Sequence, residues 1–177
     1  LCAGVIASRY EDVRHLLTTA LHSNRYRVYE SEDLGGVQLT GATVPVLATL
    51  IGVARSLRGA GVGIHAMVLS RGLEEAGRLA LAMGFDPMTF VGLAGVGDLV
   101  AAQALPGHPS YQAGEALAKD DRSQGPEALA RALVRLASAK RVELPLIGAL
   151  VAIYDGMDPL EAVQLLMARA PTREHQR

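Results

Sequence analysis

A single cysteine, Cys2, stands in 177 residues. That excludes an intramolecular disulfide framework and any Cys-x-x-Cys metal site, and it favours a reducing compartment. Charge of one sign is missing too: acidic and basic residues nearly cancel at a net charge of -1. No broad basic face for nucleic acid and no polybasic membrane patch follows from such a balance. The longest uncharged apolar stretch, about Val44 to Ala54, is far short of the ~20 residues that cross a bilayer, so it reads as a buried helix. No order of cationic stretch, hydrophobic segment and small-residue cleavage site opens the chain. The chain starts at Leu1 inside an apolar segment, and further sequence upstream is expected.

Motifs for common chemistries are lacking as well. A dinucleotide fingerprint, G-x-G-x-x-G, must follow a strand and open a helix so that the helix amides cradle a pyrophosphate. None is present. Gly59-Ala60-Gly61-Val62-Gly63 has the wrong spacing and follows a helical pattern, so it reads as a break between helices. There is no Walker sequence. His15, His22, His65 and Asp98 show no metal-ligand spacing, and neither Ser70 nor Ser110 sits in a G-x-S-x-G elbow.

Half of the residues are hydrophobic, enough to bury one core of ordinary size. Leu1 to Ser8 reads as a buried strand. Tyr10 to His22 follows helical spacing through Val13, Leu16, Leu17, Ala20 and Leu21, and Arg25 to Tyr29 alternates like a second strand. From Asp33 onward every long segment has helical punctuation. A long helix is predicted to Arg58, bent or delayed by Pro45. A second runs from about Val62 to Met83 and is stopped by Gly84. Further helices are predicted from Asp86-Pro87, over Pro126 to Lys140, from Pro145 to about Tyr154, and from Asp158-Pro159, with a polar tail from Pro171. Glu74 and Glu75 are expected to face solvent.

The most informative stretch is Thr89-Phe90-Val91-Gly92-Leu93-Ala94-Gly95-Val96-Gly97-Asp98-Leu99-Val100. Its glycines permit a tight turn and its apolar residues anchor that turn, which presents Asp98 from a rigid place. Two readings of Asp98 stand side by side: an N-cap of the following helix, or a carboxylate lining a pocket.

This stretch resembles the T-F-x-G-L-A-G-x-G-D-L run of the NAD(P)-dependent glycerol-3-phosphate dehydrogenases, in which the aspartate belongs to the substrate pocket. Tyr26-Arg27-Val28-Tyr29, Ser70-Arg71-Gly72-Leu73, Glu143-Leu144-Pro145-Leu146 and Tyr154 to Val163 resemble that family in the same order. The resemblance implies a mainly α fold: a helical domain like the C-terminal domain of 6-phosphogluconate dehydrogenase, preceded by a short strand-helix-strand remnant of a Rossmann domain. Residues 1–32 would be the end of the nucleotide-binding domain, 33–170 the helical substrate-binding domain and 171–177 the tail. It further implies NAD or NADP as cofactor, a small phosphorylated substrate, a homodimer and a cytoplasmic location.

The departures concern the chemistry. Alcohol oxidation needs a proton carrier that also steadies the alkoxide, for which lysine is suited, and an arginine fork for the phosphate. The family's G-A-L-K-N segment corresponds to Gly41-Ala42-Thr43-Val44-Pro45, with Thr43 expected in the lysine's place. Where the family has S-R-N, His108-Pro109-Ser110 occurs, and no arginine lies between Asp98 and Lys119. Gln124-Gly125 stands where an acidic residue and glycine contact the cofactor, and His65 where a lysine precedes S/T-R-G. The resemblance thus makes Thr43 and Asp98 the catalytic positions, Asp98, His108 and Ser110 the substrate contacts, and Gln124 the cofactor contact. With the lysine and the fingerprint missing, this chain is expected to bind NAD(P) weakly and to be inactive. The alternative is a non-catalytic helical module for ligand binding or dimerisation. His65 and His108 are candidates for replacement acid–base chemistry.

Overall fold

The computed structural model describes residues 1–59, 61–105 and 107–168. The tail expected from Pro171 and the end of the helical domain at 170 lie outside the described residues. So do Ala60, which belongs to the predicted break between helices at 59–63, and Pro106.

The chain begins with a strand, a helix and a strand: β1 (Cys2–Ala7), α1 (Glu11–Leu21) and β2 (Tyr26–Ser31). The strands pair in parallel, Cys2 opposite Tyr26 through Ala7 opposite Ser31. Two strands cannot cover a helix face. The apolar stripe of α1 is accordingly exposed at Val13, Leu16, Leu17 and Leu21, and the residue that α1 buries is Arg14. Arg14 donates to the Ser8 carbonyl at 2.7 Å and to Glu32 at 2.9 Å, so polar ties hold this unit together.

Asp33 accepts from the Gly36 amide at 3.0 Å and thereby starts α2 (Leu34–Ser56). α2 is the axis of the fold. It contacts α3 (Val62–Ala82), α4 (Asp98–Ala104), α5 (Pro109–Leu117), α6 (Glu127–Lys140) and α7 (Pro145–Tyr154). Pro45 lies inside α2, which runs on past it. Between α2 and α5 the backbones approach at two glycines. A Cβ on Gly114 would collide with the Thr49 carbonyl, and one on Gly52 with the Tyr111 carbonyl. The Thr49 hydroxyl lies 2.9 Å from the carbonyls of both Pro45 and Ser110 and ties the two helices where they touch.

By length and hydropathy alone two segments among the described residues could span a membrane, Leu34–Ser56 (mean hydropathy 1.7) and Pro87–Ala104 (1.2). The first is mostly buried by its neighbouring helices, and the second is broken into a 3₁₀ turn, a π turn and α4.

Gly84, at φ +81, ends α3 as predicted, with the Phe85 amide returning to the Ala80 carbonyl at 2.9 Å. α8 (Pro159–Met167) starts on Asp158, whose carboxylate accepts from Leu160 and Glu161 amides. The expectation for Glu75 is corrected. It is buried, 4% exposed, and its carboxylate accepts the Leu146 amide at 2.9 and 3.1 Å. That amide lies in the first turn of α7 and has no intrahelical partner, and a carboxylate there both satisfies it and meets the positive end of the helix dipole.

Candidate functional site

Asp33 does more than cap α2. Its second carboxylate oxygen accepts from the Thr89 hydroxyl at 2.6 Å and from the Asp86 amide at 3.2 Å. One side chain thus joins the start of α2 to the 3₁₀ turn Pro87–Phe90, which leads into the glycine run. Phe90 is buried at 1% exposure and anchors the run. The chain then forms a π turn, Leu93–Gly97, in which the Gly97 amide reaches back to the Gly92 carbonyl at 3.2 Å. Gly95 is required for space: a Cβ there would strike the Phe90 carbonyl. Widened turns of this kind re-aim the side chains that follow and are frequent at functional sites.

The π turn runs directly into α4, so Asp98 has helical backbone angles (φ -67, ψ -41) and makes no side-chain capping bond. The N-cap reading is therefore excluded. Among the described residues its carboxylate has no hydrogen-bond or ion-pair partner. It lines an open hollow of about 310 Å³ together with Ala3, Gly4 and Val5 of β1, Val37, Thr40 and Gly41 of α2, and Leu93, Ala94, Gly97 and Ala101. Among the described residues Asp98 is the only charged one in this lining.

Thr43 is not part of it. It is 1% exposed, and its hydroxyl donates to the Leu39 carbonyl at 2.7 Å. The face of α2 that meets the hollow carries residues 37, 40 and 41, and the next position on that stripe is 44. Counted one for one, Gly41-Ala42-Thr43-Val44-Pro45 against G-A-L-K-N also sets Val44 in the lysine's place and Pro45 in the asparagine's. The register expected for Thr43 is thus corrected by one residue. The lysine is absent in either register.

The other expected site residues are not brought to the hollow. His108 immediately precedes α5, with its Nδ1 buried and without a partner. The Ser110 carbonyl is engaged by Thr49. Gln124 is exposed and its carbonyl accepts from the Tyr154 hydroxyl at 3.3 Å. Burial, helped by nearby Glu127, pushes the Tyr154 phenol up to about 12. His65 has a buried, unpartnered Nε2 on α3 and does not line the hollow either. Sequence reasoning missed Asp33 as a clamp and Thr40 as a lining residue. The cap was readable from Asp33 standing three residues before Gly36, but its reach to Thr89, across 56 residues of chain, was not.

Two cofactor questions have structural answers. Among the described residues no group of three or more His, Cys, Asp or Glu could hold a metal ion. The turn from β1 to α1, Ser8-Arg9-Tyr10, has no glycine, and its polar groups are engaged: Ser8 Oγ accepts the Tyr10 amide at 3.1 Å and the Ser8 carbonyl accepts from Arg14. The described residues do not supply a pyrophosphate cradle.

Comparison with known proteins bears on this arrangement. Residues 33–164 match the family described as NAD-dependent glycerol-3-phosphate dehydrogenase, C-terminus. A glycerol-3-phosphate dehydrogenase [NAD(P)+] of Acidovorax sp. (strain JS42) is 39% identical, with 97% of this chain aligned to 55% of the relative. Its counterpart from Azotobacter vinelandii is 38% identical over 97% of this chain and 53% of the relative. The chain therefore spans about half the length of the curated relatives it matches. The crystal structure of glycerol-3-phosphate dehydrogenase from Coxiella burnetii superposes with a TM-score of 0.85 at 31% identity, covering 94% of this chain and 55% of that one. The Plasmodium falciparum glycerol-3-phosphate dehydrogenase, at 12% identity and a TM-score of 0.83, shares the fold. With the glycine run, the helical body and the match over residues 33–164 in agreement, the chain belongs to the NAD-dependent glycerol-3-phosphate dehydrogenase family and carries that family's C-terminal domain.

Proposed function

We propose that this chain is the substrate-binding half of a glycerol-3-phosphate dehydrogenase-like protein, that the hollow over Asp98 descends from the substrate site, and that the chain does not turn over glycerol 3-phosphate. One observation carries the reading: Asp98, without a partner among the described residues, follows a π turn and lines a hollow beside the start of α2, where no lysine stands. In such a site Asp98 accepts hydrogen bonds from a ligand's donors, and Thr40 and Gly41 shape the facing wall. Oxidation of a secondary alcohol needs a group that takes the hydroxyl proton and steadies the alkoxide. Val44 can do neither, and Asp98 would oppose the developing negative charge. Hydride acceptance belongs to NAD or NADP in the complete relatives, and the residues described do not cradle a dinucleotide.

A cytoplasmic location and a homodimer belong to the same proposal, by analogy with the family. The test is an assay of the purified chain with glycerol 3-phosphate and either NAD or NADP. The expected result is no substrate-dependent formation of reduced cofactor; robust formation overturns the proposal. The second reading, a non-catalytic ligand-binding module, is favoured by the same uncompensated carboxylate.

A further inference from the structure

We infer that His22 is a proton-sensitive clip on the outer edge of β2, and that proton uptake by its imidazole frees the Val28 amide. In the parallel pair Cys2 and Ser8 donate to the Arg25 and Ser31 carbonyls, so the amides of Tyr26, Val28 and Glu30 face away from β1. The turn from α1 folds over that outer row. Ser23 holds the Tyr26 amide, through its carbonyl at 3.2 Å and its hydroxyl at 3.1 Å. His22 holds the next one: the Val28 amide donates to its Nδ1 at 3.3 Å, and Val28 is the residue that β2 buries. The two acceptors differ in that a carbonyl or hydroxyl oxygen does not titrate near neutral pH, whereas an imidazole nitrogen does. Nδ1 accepts only while it carries no hydrogen, so the bond requires the neutral ring with its proton on Nε2. A proton on Nδ1 and the Val28 bond exclude each other.

The charged ring has a second place to bind. His22 ends α1, its own amide bonded to the Thr18 carbonyl at 2.8 Å, and no basic residue stands in the last turn of that helix. An imidazolium there meets the uncompensated negative end of the helix dipole. The carbonyls of Thr19, Ala20 and Leu21 lie beyond the last intrahelical donor, and one turn back the Thr18 hydroxyl is buried without a partner. Neutral and protonated rings are thus suited to different partners, the Val28 amide and the end of α1. Among the described residues His22 forms no ion pair. On α1, Glu11 and Asp12 lie at the opposite end, Arg14 is engaged by Glu30 and Glu32, and His15 stands about two turns away. On β2, Arg27 lies over the Tyr29 ring at 5.6 Å, and Tyr26 lays its phenol over Gly4. Arg25 is exposed in the turn, and β1 carries no charged residue; its Cys2 thiol donates to the Arg25 carbonyl at 3.8 Å. Release of Val28 loosens the join between α1 and β2 on the side away from β1.

The test is an NMR titration of the purified chain from pH ~8 to pH ~5. Ring nitrogen shifts report the protonation state of His22, and hydrogen exchange, corrected for its intrinsic pH dependence, reports the Val28 and Tyr26 amides. At the upper pH His22 is expected to carry its proton on Nε2. As the ring takes up its second proton, protection of the Val28 amide is expected to fall about fivefold or more, with the same midpoint as the ring, while Tyr26 keeps its protection. His22→Asn supplies an oxygen acceptor that does not titrate and is expected to make Val28 protection independent of pH. His15→Asn is expected to leave the response of the unaltered chain in place. A ring protonated on Nδ1 at pH ~8, or a Val28 amide that does not follow the ring, overturns the inference. So does a pH response of Val28 that survives His22→Asn or disappears in His15→Asn.

Discussion

α1 carries its apolar residues as a stripe on a polar helix, α2 carries them nearly all round, and the two meet opposite fates. In α2 the residues from Val44 to Ala54 are almost wholly buried among five neighbouring helices, whereas α1 leaves Leu16 68% exposed and Leu21 51% exposed and buries an arginine instead. The difference lies in what stands opposite. α1 faces a parallel pair of strands too narrow to cover it, and the unit is tied by Arg14 to Ser8, Glu30 and Glu32. Periodicity shows which face of a helix would be buried; whether a surface exists to bury it is a property of the assembled fold.

The contrast can be broken most severely at the α2–α5 contact. Gly114→Val is expected to remove more than about 4 kcal/mol, because a side chain there meets backbone on α2 and the helices must separate. Urea denaturation monitored by circular dichroism should show a large fall in midpoint or no folded baseline, and an unchanged midpoint would deny the close approach. A paired truncation sharpens the comparison directly. Leu47→Ala, at a site with no exposure, should cost about 3–4 kcal/mol, while Leu16→Ala should cost less than about 0.5 kcal/mol. Equal losses would mean that α1 is covered in solution.

Asp33→Ala is expected to cost about 2 kcal/mol, since the Gly36 amide, the Asp86 amide and the Thr89 hydroxyl lose a shared acceptor. Hydrogen exchange should quicken at both the start of α2 and the 3₁₀ turn; quickening at α2 alone would reduce Asp33 to an ordinary cap. The smallest effect concerns alkaline pH. Tyr154 keeps its proton in the fold until pH approaches about 12, whereas an unfolded tyrosine loses it near ~10. Between those values the unfolded chain binds fewer protons than the folded one, so stability falls as pH rises through the window and is unaffected below it. The loss should be about 1 kcal/mol after solvent screening. Comparing denaturation of the unaltered chain and Tyr154→Phe at pH 9 and pH ~11.5 isolates it, and parallel pH profiles would assign the slope to other groups.

Much of the helical body was legible because its punctuation is local. Asp33, Gly84 and the pairs Asp86-Pro87 and Asp158-Pro159 stand at element boundaries, and the predicted Val62 to Met83 helix appears as Val62–Ala82. Glu75 was misplaced for a complementary reason. Its helix pattern permits solvent exposure, and only the arrival of α7 supplies the amide that makes burial of a carboxylate favourable. Thr43 was misplaced because the hollow selects one stripe of α2, and which stripe it selects depends on where the π turn docks.

The amino-acid sequence by itself determined the boundaries of the long helices, the glycine run that must turn beneath Asp98, and the absence of a lysine from Gly41 to Pro45. Those are properties of residues within a few positions of one another, set by caps, φ restrictions and side-chain type. The tertiary structure decided that Asp98 lines a hollow instead of capping a helix, that Thr40 and Gly41 belong to the same lining while Thr43 does not, and that Asp33 joins the start of α2 to the turn before the glycine run. Each of these depends on contacts between segments more than fifty residues apart or on the phase of a helix against its neighbour, and no local pattern encodes that phase.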